Sequence, residues 1–90
     1  MDISERIKCI CDLAGTGEVI CDVGCDHGYT TITLLKSKAF KRAIAMDINE
    51  GPLAKASLNV KQAKVSDKVE LRLSDGLKMA RRYRIIQNIR

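Results

Sequence analysis

Residues 18–35, EVICDVGCDHGYTTITLL, decide the fold. An apolar, β-branched run at 18–23 breaks into a loop between Gly24 and Gly28, and the chain then returns to helical spacing at 30–38. A short apolar run without alternation is typical of a strand that is buried on both faces. A buried strand, a glycine loop and a helix in this order predict the start of an open α/β sheet.

The flanking sequence continues the alternation of helices and strands. Helical spacing of isoleucines predicts a first helix over 3–14. A second apolar run at 42–47 predicts another buried strand, Pro52 lies where the next helix begins, and 68–75 alternates as a third strand. The order α-β-α-β-α-β, with crossovers of helical length, predicts an α/β fold with a parallel three-stranded sheet.

The charge of the chain is unevenly distributed. The net charge is +5, but residues 78–90 hold five basic and no acidic residues, so residues 1–77 are neutral. We therefore expect residues 1–77 to form one domain and residues 78–90 to form an atypical basic tail. The tail is predicted to be solvated, and RNA binding by Arg81, Arg82 and Arg84 is the less favoured alternative.

The N-terminal sequence mixes charged and apolar residues, and so it predicts neither a signal peptide nor a membrane span. A cytoplasmic setting is the expectation, and the four cysteines are expected to be reduced thiols. Their spacing lacks a C-x-x-C pair, so no metal site is predicted. The cysteines are Cys9, Cys11, Cys21 and Cys25.

Each predicted strand ends in an aspartate, namely Asp22, Asp47 and Asp75. Ligands of open α/β sheets bind at the carboxyl ends of the strands, where a glycine loop allows close approach of the backbone. Asp47 lies 23 residues after Gly24, near the offset of about 20 at which an acidic residue binds ribose hydroxyls. The pattern predicts a cofactor that contains a nucleoside.

The loop itself favours one class of cofactor. It reads G-x-x-x-G without a third glycine, and Asp26 in its middle would repel a pyrophosphate. S-adenosylmethionine carries a sulfonium and an ammonium group and no phosphate. We predict that Asp22 and Asp26 receive this cationic end, that Asp47 binds the ribose diol, and that Asp75 binds the adenine amino group.

Other roles remain open for several of these residues. Asp22 also suits a turn cap, and Asp75 followed by glycine is a common turn. His27 either lines the cofactor pocket or caps the following helix, and the sequence does not distinguish these two roles.

Three segments together resemble a known family: DVGCDHGYTTITLL, AIAMDINEGPLAKASLNV and VELRLSDGL. They are similar to the first three motifs of Rossmann-like class I methyltransferases, specifically the bacterial tRNA (adenine-N1)-methyltransferases of the TrmK type. The resemblance implies methyl transfer from S-adenosylmethionine to N1 of a D-arm adenine in tRNA. The predicted cofactor-binding residues are Asp22, Gly24, Asp26, His27, Gly28, Asp47, Ile48, Asp75 and Gly76.

The resemblance covers about residues 3–77 and implies that residues 1–77 form part of a Rossmann-like domain. It also implies a fourth strand with a GMGG-like loop after this part, and the sequence of residues 78–90 does not match that strand and loop. The expectation is a truncated or frame-shifted copy that binds S-adenosylmethionine without turnover, its catalytic residues lying beyond the chain. A non-catalytic remnant and, less favoured, half of a dinucleotide-binding oxidoreductase are the alternatives. Without a fourth strand, the first strand would present an open apolar edge and promote self-association.

Overall fold

The computed structural model describes residues 3–75 and 84–87. The strands form one sheet in the order β3-β2-β1-β4, and every neighbouring pair is parallel. The predicted α/β class and the parallel arrangement of the first three strands are confirmed. The elements are α1 (Ile3–Ala14), β1 (Gly17–Val23), α2 (Tyr29–Lys36), β2 (Phe40–Asp47), α3 (Glu50–Gln62), a 3-10 turn (Ser66–Lys68), β3 (Val69–Leu73) and β4 (Arg84–Gln87).

The sheet contains a fourth strand that the sequence pattern does not predict. β4 pairs with β1, with Ile20 opposite Arg84 and Val23 opposite Gln87. The predicted open edge of β1 is therefore wrong, and residues 84–87 form part of the sheet instead of a separate tail. The predicted self-association depends on that open edge and so loses its premise. Arg81 and Arg82 lie outside the described residues.

The main hydrophobic core lies between one sheet face and the three α-helices. Ile20 of β1 and Ala43 of β2 pack there against buried residues of all three helices and of the connections between them. Cys21, Ile44 and Met46 point to the opposite face, because successive side chains of a strand alternate, and they form a second buried cluster. Both faces of β1 and β2 are thus buried over residues 20–22 and 43–47, as apolar runs without alternation predict.

The α2–β2 connection differs from its prediction by two residues at each end. The helix ends at Lys36 instead of residue 38, and the strand begins at Phe40 instead of residue 42. Lys38 adopts a left-handed conformation with φ 63°, and its N–H donates to the Leu35 carbonyl. This is a helix-ending turn that commonly contains glycine, so a lysine in its place conceals the boundary in the sequence.

The helices of the fold are short. In the parts of the chain that the structure describes, no helix has the length and apolar character that crossing a membrane requires.

Removal of β4 tests the pairing that the sequence pattern misses. A chain that ends after Leu77 loses the backbone hydrogen bonds between β1 and β4, so we expect its free energy of unfolding to fall by about 2–4 kcal/mol. The exposed β1 edge should also promote association. Urea unfolding and analytical ultracentrifugation measure the two effects, and a chain that ends after Gln87 is the matched control. Equal stability of the two shortened chains would contradict the pairing.

Candidate functional site

The candidate site lies at the carboxyl edge of the sheet, where the glycine loop follows β1. Asp22 and Asp47 are 0% and 1% exposed, respectively. Three loop residues adopt left-handed backbone conformations: Gly24 (φ 73°), Asp26 (φ 54°) and Gly28 (φ 83°). Glycine adopts this conformation freely, and aspartate is among the few other residues that tolerate it. The loop therefore folds back tightly over the ends of the strands.

The carboxylate of Asp47 joins the loops that follow neighbouring strands. Its Oδ2 accepts a hydrogen bond from the Asp26 N–H at 3.0 Å, and its Oδ1 accepts one from the Asn49 N–H at 2.9 Å. The Asp47 backbone carbonyl accepts a third hydrogen bond from the Ser74 N–H, at 3.0 Å. The segments after β1, β2 and β3 are thus all fixed to this one residue.

Asp22 is fixed to the helix behind the loop. Its Oδ2 accepts a hydrogen bond from Thr31 Oγ1 at 2.6 Å, and both side chains are fully buried. A hydrogen bond to a charged acceptor is stronger than one between neutral groups, and it offsets part of the cost of burying the carboxylate. Sequence analysis does not identify Thr31. Helix α2 also contains Thr30 and Thr33, so a hydroxyl in this helix does not single out Thr31.

Helix α3 supports the glycine loop from the opposite side. A Cβ atom added to Gly28 would lie 3.2 Å from Ala56 Cβ, which is closer than most side-chain contacts. Asn59, which the sequence pattern does not single out, donates from Nδ2 to the His27 carbonyl at 2.8 Å. Gly28 therefore permits close packing of the loop on α3, in addition to its left-handed conformation.

His27 lies at the outer part of the loop. Its ring is 45% exposed, and Nε2 is 3.7 Å from Asp26 Oδ1. The ring also makes an edge-to-face contact with Tyr29. The alternative in which His27 caps α2 is wrong, because Gly28 is the N-cap residue and no side chain makes a capping hydrogen bond.

Cys25 lies close to the carboxylates of the site. This residue is buried in the loop, and its backbone N–H donates to the Met46 carbonyl. Burial, followed by the negative charges of Asp22, Asp47 and Asp26, raises the pKa of the Cys25 thiol to about 12. Cys25 is therefore a neutral thiol at physiological pH, and it is not a nucleophile.

The other cysteines are also free thiols. Burial raises the pKa values of Cys11 and Cys21 as well. Within residues 3–75 and 84–87, no three His, Cys, Asp or Glu side chains converge as a metal site would require.

The remaining predicted residues lie at the ends of β2 and β3. Ile48 directly follows Asp47 and is 69% exposed. Asp75 lies two residues beyond the end of β3 and is exposed. Gly76 lies outside the described residues. The structure thus brings Asp22, Asp26 and Asp47 to one edge, with Ile48 beside them.

A parallel sheet with a glycine loop and buried carboxylates at its carboxyl edge defines a Rossmann-like domain of the kind that binds nucleoside cofactors. The chain belongs to the Methyltransferase domain family, whose model matches residues 3–89. This match extends well beyond Leu77 and includes β4, so the change of composition at residue 78 does not end the similarity.

Several relatives methylate RNA. A curated relative from Bacillus subtilis (strain 168), a tRNA (adenine(22)-N(1))-methyltransferase, is 26% identical over 82 residues, which are 91% of this chain and 34% of the relative. The structure of M. capricolum TrmK with S-adenosyl-homocysteine is 30% identical with a TM-score of 0.78, and the match covers 96% of this chain and 37% of that one.

Two further structures agree with this assignment. The B. subtilis m1A22 tRNA methyltransferase TrmK is 25% identical with a TM-score of 0.81, and the match covers 96% of this chain and 38% of that one. An RNA methyltransferase from Salinibacter ruber with S-adenosyl-L-homocysteine is 26% identical with a TM-score of 0.72, and the match covers 83% of this chain and 50% of that one. The chain spans between about a third and a half of the length of these relatives.

Substitution of Thr31 tests the buried hydrogen bond to Asp22. Thr31→Val keeps the shape of the side chain but removes the donor, so we expect the free energy of unfolding to fall by about 1–3 kcal/mol. Thr31→Ser keeps the donor and loses one methyl group, so it is the matched control and should cost about 1 kcal/mol or less. Urea unfolding measures both. A valine variant that is more stable than the serine variant would show that the hydrogen bond does not stabilise the fold.

Proposed function

We propose that this chain is the S-adenosylmethionine-binding part of a tRNA (adenine-N1)-methyltransferase. The observation that carries the proposal is the group of carboxylates around the glycine loop, Asp22, Asp26 and Asp47, two of them buried. A cofactor with a cationic end is attracted to such a group, whereas the pyrophosphate of a dinucleotide is repelled. Burial and the charges of these same carboxylates also raise the pKa of the Cys25 thiol.

The predicted contacts fit the observed positions of the residues. Asp22 and Asp26 are proposed to face the ammonium and sulfonium end, with Gly24 and Gly28 allowing the backbone of the loop to lie close to the cofactor. Asp47 is proposed to bind the ribose hydroxyls. Its two oxygens accept the N–H groups of Asp26 and Asn49, which fixes the carboxylate at the end of β2.

The adenine end of the cofactor is assigned to the ends of β2 and β3. Ile48 offers an exposed apolar surface next to Asp47, which suits the flat face of an adenine ring. Asp75 is proposed to accept a hydrogen bond from the adenine amino group, and Gly76 follows it in the chain. This assignment gives the exposure of Ile48 a function, because the side chain loses contact with water when the cofactor binds.

The acceptor is proposed to be N1 of adenine 22 in the D-arm of tRNA. The names of the B. subtilis relatives support this choice. The cofactor would supply an electrophilic methyl group. The lone pair of adenine N1 would bond to the methyl carbon as the bond from that carbon to sulfur breaks, so the positive charge passes from sulfur to the ring. The residues of this chain would hold and orient the cofactor for in-line transfer.

Calorimetric titration with S-adenosylhomocysteine tests the cofactor assignment. We expect the chain to bind it and not to bind NAD. Ile48→Ala should weaken binding by about 5- to 10-fold, because the apolar contact with adenine is reduced by roughly 1–1.5 kcal/mol. Leu58→Ala removes a similarly exposed leucine from α3 and is the matched control, with no expected change.

Two results would contradict this assignment. A folded chain that binds neither ligand would not be a cofactor-binding domain, and a chain that binds NAD in preference would belong to the dinucleotide class. If the Ile48 and Leu58 substitutions weaken binding equally, Ile48 does not contact the adenine ring.

A further inference from the structure

Two aromatic side chains lie exposed at the rim of the glycine loop. Tyr29 is 50% exposed, and the neighbouring ring of His27 is nearly as exposed. Phe40, by contrast, is buried in the main core, and Tyr83 lies outside the described residues. Exposed rings are unfavourable in water, so an aromatic pair beside a ligand-binding loop suggests a binding function.

The geometry of the pair leaves aromatic surface available. The ring centroids are 6.1 Å apart and the ring planes are at 88°, so the edge of one ring contacts the face of the other. An edge-to-face contact uses one face of only one of the two rings. Together with the half-exposure of both side chains, this leaves ring surface to which a flat ligand can stack.

The backbone on both sides of the pair is fixed. The His27 carbonyl accepts a hydrogen bond from Asn59 of α3, and Gly28 packs against Ala56 of the same helix. The Tyr29 carbonyl accepts a hydrogen bond from Thr33 Oγ1 at 2.8 Å. A pair that is held in place before binding loses less conformational entropy when a ligand stacks on it.

The charge beside the pair indicates which part of a nucleic acid it contacts. Asp26 Oδ1 lies 3.7 Å from His27 Nε2 and its side chain is 44% exposed. A carboxylate at this position repels phosphate groups, whereas it does not repel an uncharged base. The surroundings of the pair therefore suit a base and do not suit the phosphate backbone.

From these contacts we propose that His27 and Tyr29 form a stacking site for a nucleobase of the acceptor RNA. The proposal rests on the proposed function, because a methylated base must approach the same edge of the sheet as the cofactor. It gives His27 a different ligand from the cofactor, consistent with the exposure of its ring at the outer part of the loop. RNA-binding proteins commonly stack unpaired bases on tyrosine and histidine rings.

The aromatic composition provides a direct spectroscopic test. The chain has two tyrosines and no tryptophan, so Tyr83→Phe leaves Tyr29 as the only strong intrinsic fluorophore. We expect a short oligoadenylate to quench the fluorescence of this variant. An abasic oligonucleotide of equal length has the same phosphate charge without bases, and it should leave the fluorescence unchanged.

Two substitutions of Tyr29 test the ring itself. Tyr29→Leu should weaken the binding of a labelled oligoadenylate, measured by fluorescence anisotropy, by about 5- to 100-fold, which corresponds to the loss of one stacked base. Tyr29→Phe keeps the ring and should bind within about 2-fold of the unsubstituted chain. Calorimetry should give the same affinity for S-adenosylhomocysteine in both variants.

Three results would overturn the stacking site: no binding of oligoadenylate at millimolar concentration, equal binding by Tyr29→Leu and Tyr29→Phe, or quenching by the abasic oligonucleotide. A loss of S-adenosylhomocysteine affinity in Tyr29→Leu would assign the pair to the cofactor pocket instead. If the unsubstituted chain binds oligoadenylate through Tyr29 but does not bind S-adenosylhomocysteine, the proposed function fails and the stacking site stands.

Discussion

The buried carboxylate of Asp47 is the interaction on which the carboxyl edge of this sheet depends. It accepts the N–H groups of Asp26 and Asn49, while its own backbone carbonyl accepts the N–H of Ser74. Burial of an ionised carboxylate is costly unless hydrogen bonds compensate for the lost water. The loops after β1 and β2 provide these bonds, and the segment after β3 is held by the backbone carbonyl of the same residue, so the positions of all three are coupled at Asp47.

This arrangement links the fold to the chemistry of the ligand. The left-handed conformations of Gly24, Asp26 and Gly28 bring the loop over the strand ends, and the hydrogen bond to Asp47 holds it there. The same folding places three carboxylates around Cys25, whose thiol pKa is raised partly by their charges. A loop that is held by carboxylates has a negative potential as a direct consequence, and a cationic cofactor without phosphates is the ligand that this potential favours.

The sequence predicts the parts of the structure that depend on local patterns. The two central strands contain short apolar runs without alternation, α1 and α3 have apolar residues at helical spacing, and the aspartates near the ends of β1 and β2 follow from the strand boundaries. β4 escapes prediction because its two isoleucines, Ile85 and Ile86, lie between arginine and glutamine in a basic segment. β4 lies beside β1 because it pairs with a strand that is distant in sequence. A segment of four residues is too short to show a periodic pattern that would predict this pairing.

The supporting contacts of the site are unpredictable for the same reason. Thr31 lies nine residues after Asp22 on a different element, and Asn59 lies 32 residues from His27. Neither spacing belongs to a helix or strand period, so only the folded chain brings the partners together. Gly28 was identifiable as a loop glycine, but its contact with Ala56 requires the packing of α3 against the loop.

Amide hydrogen exchange at Asp26 and Asn49, measured by NMR, tests the central claim about Asp47 most directly. In Asp47→Ala both amides lose their acceptor, and we predict that they exchange about 5- to 100-fold faster while the amides of Ile20 and Ala45 inside the sheet keep their protection. Asp67→Ala, which removes an exposed carboxylate from the 3-10 turn, should leave all four unchanged. Unchanged exchange at Asp26 and Asn49 in Asp47→Ala would show that this carboxylate does not hold the loops.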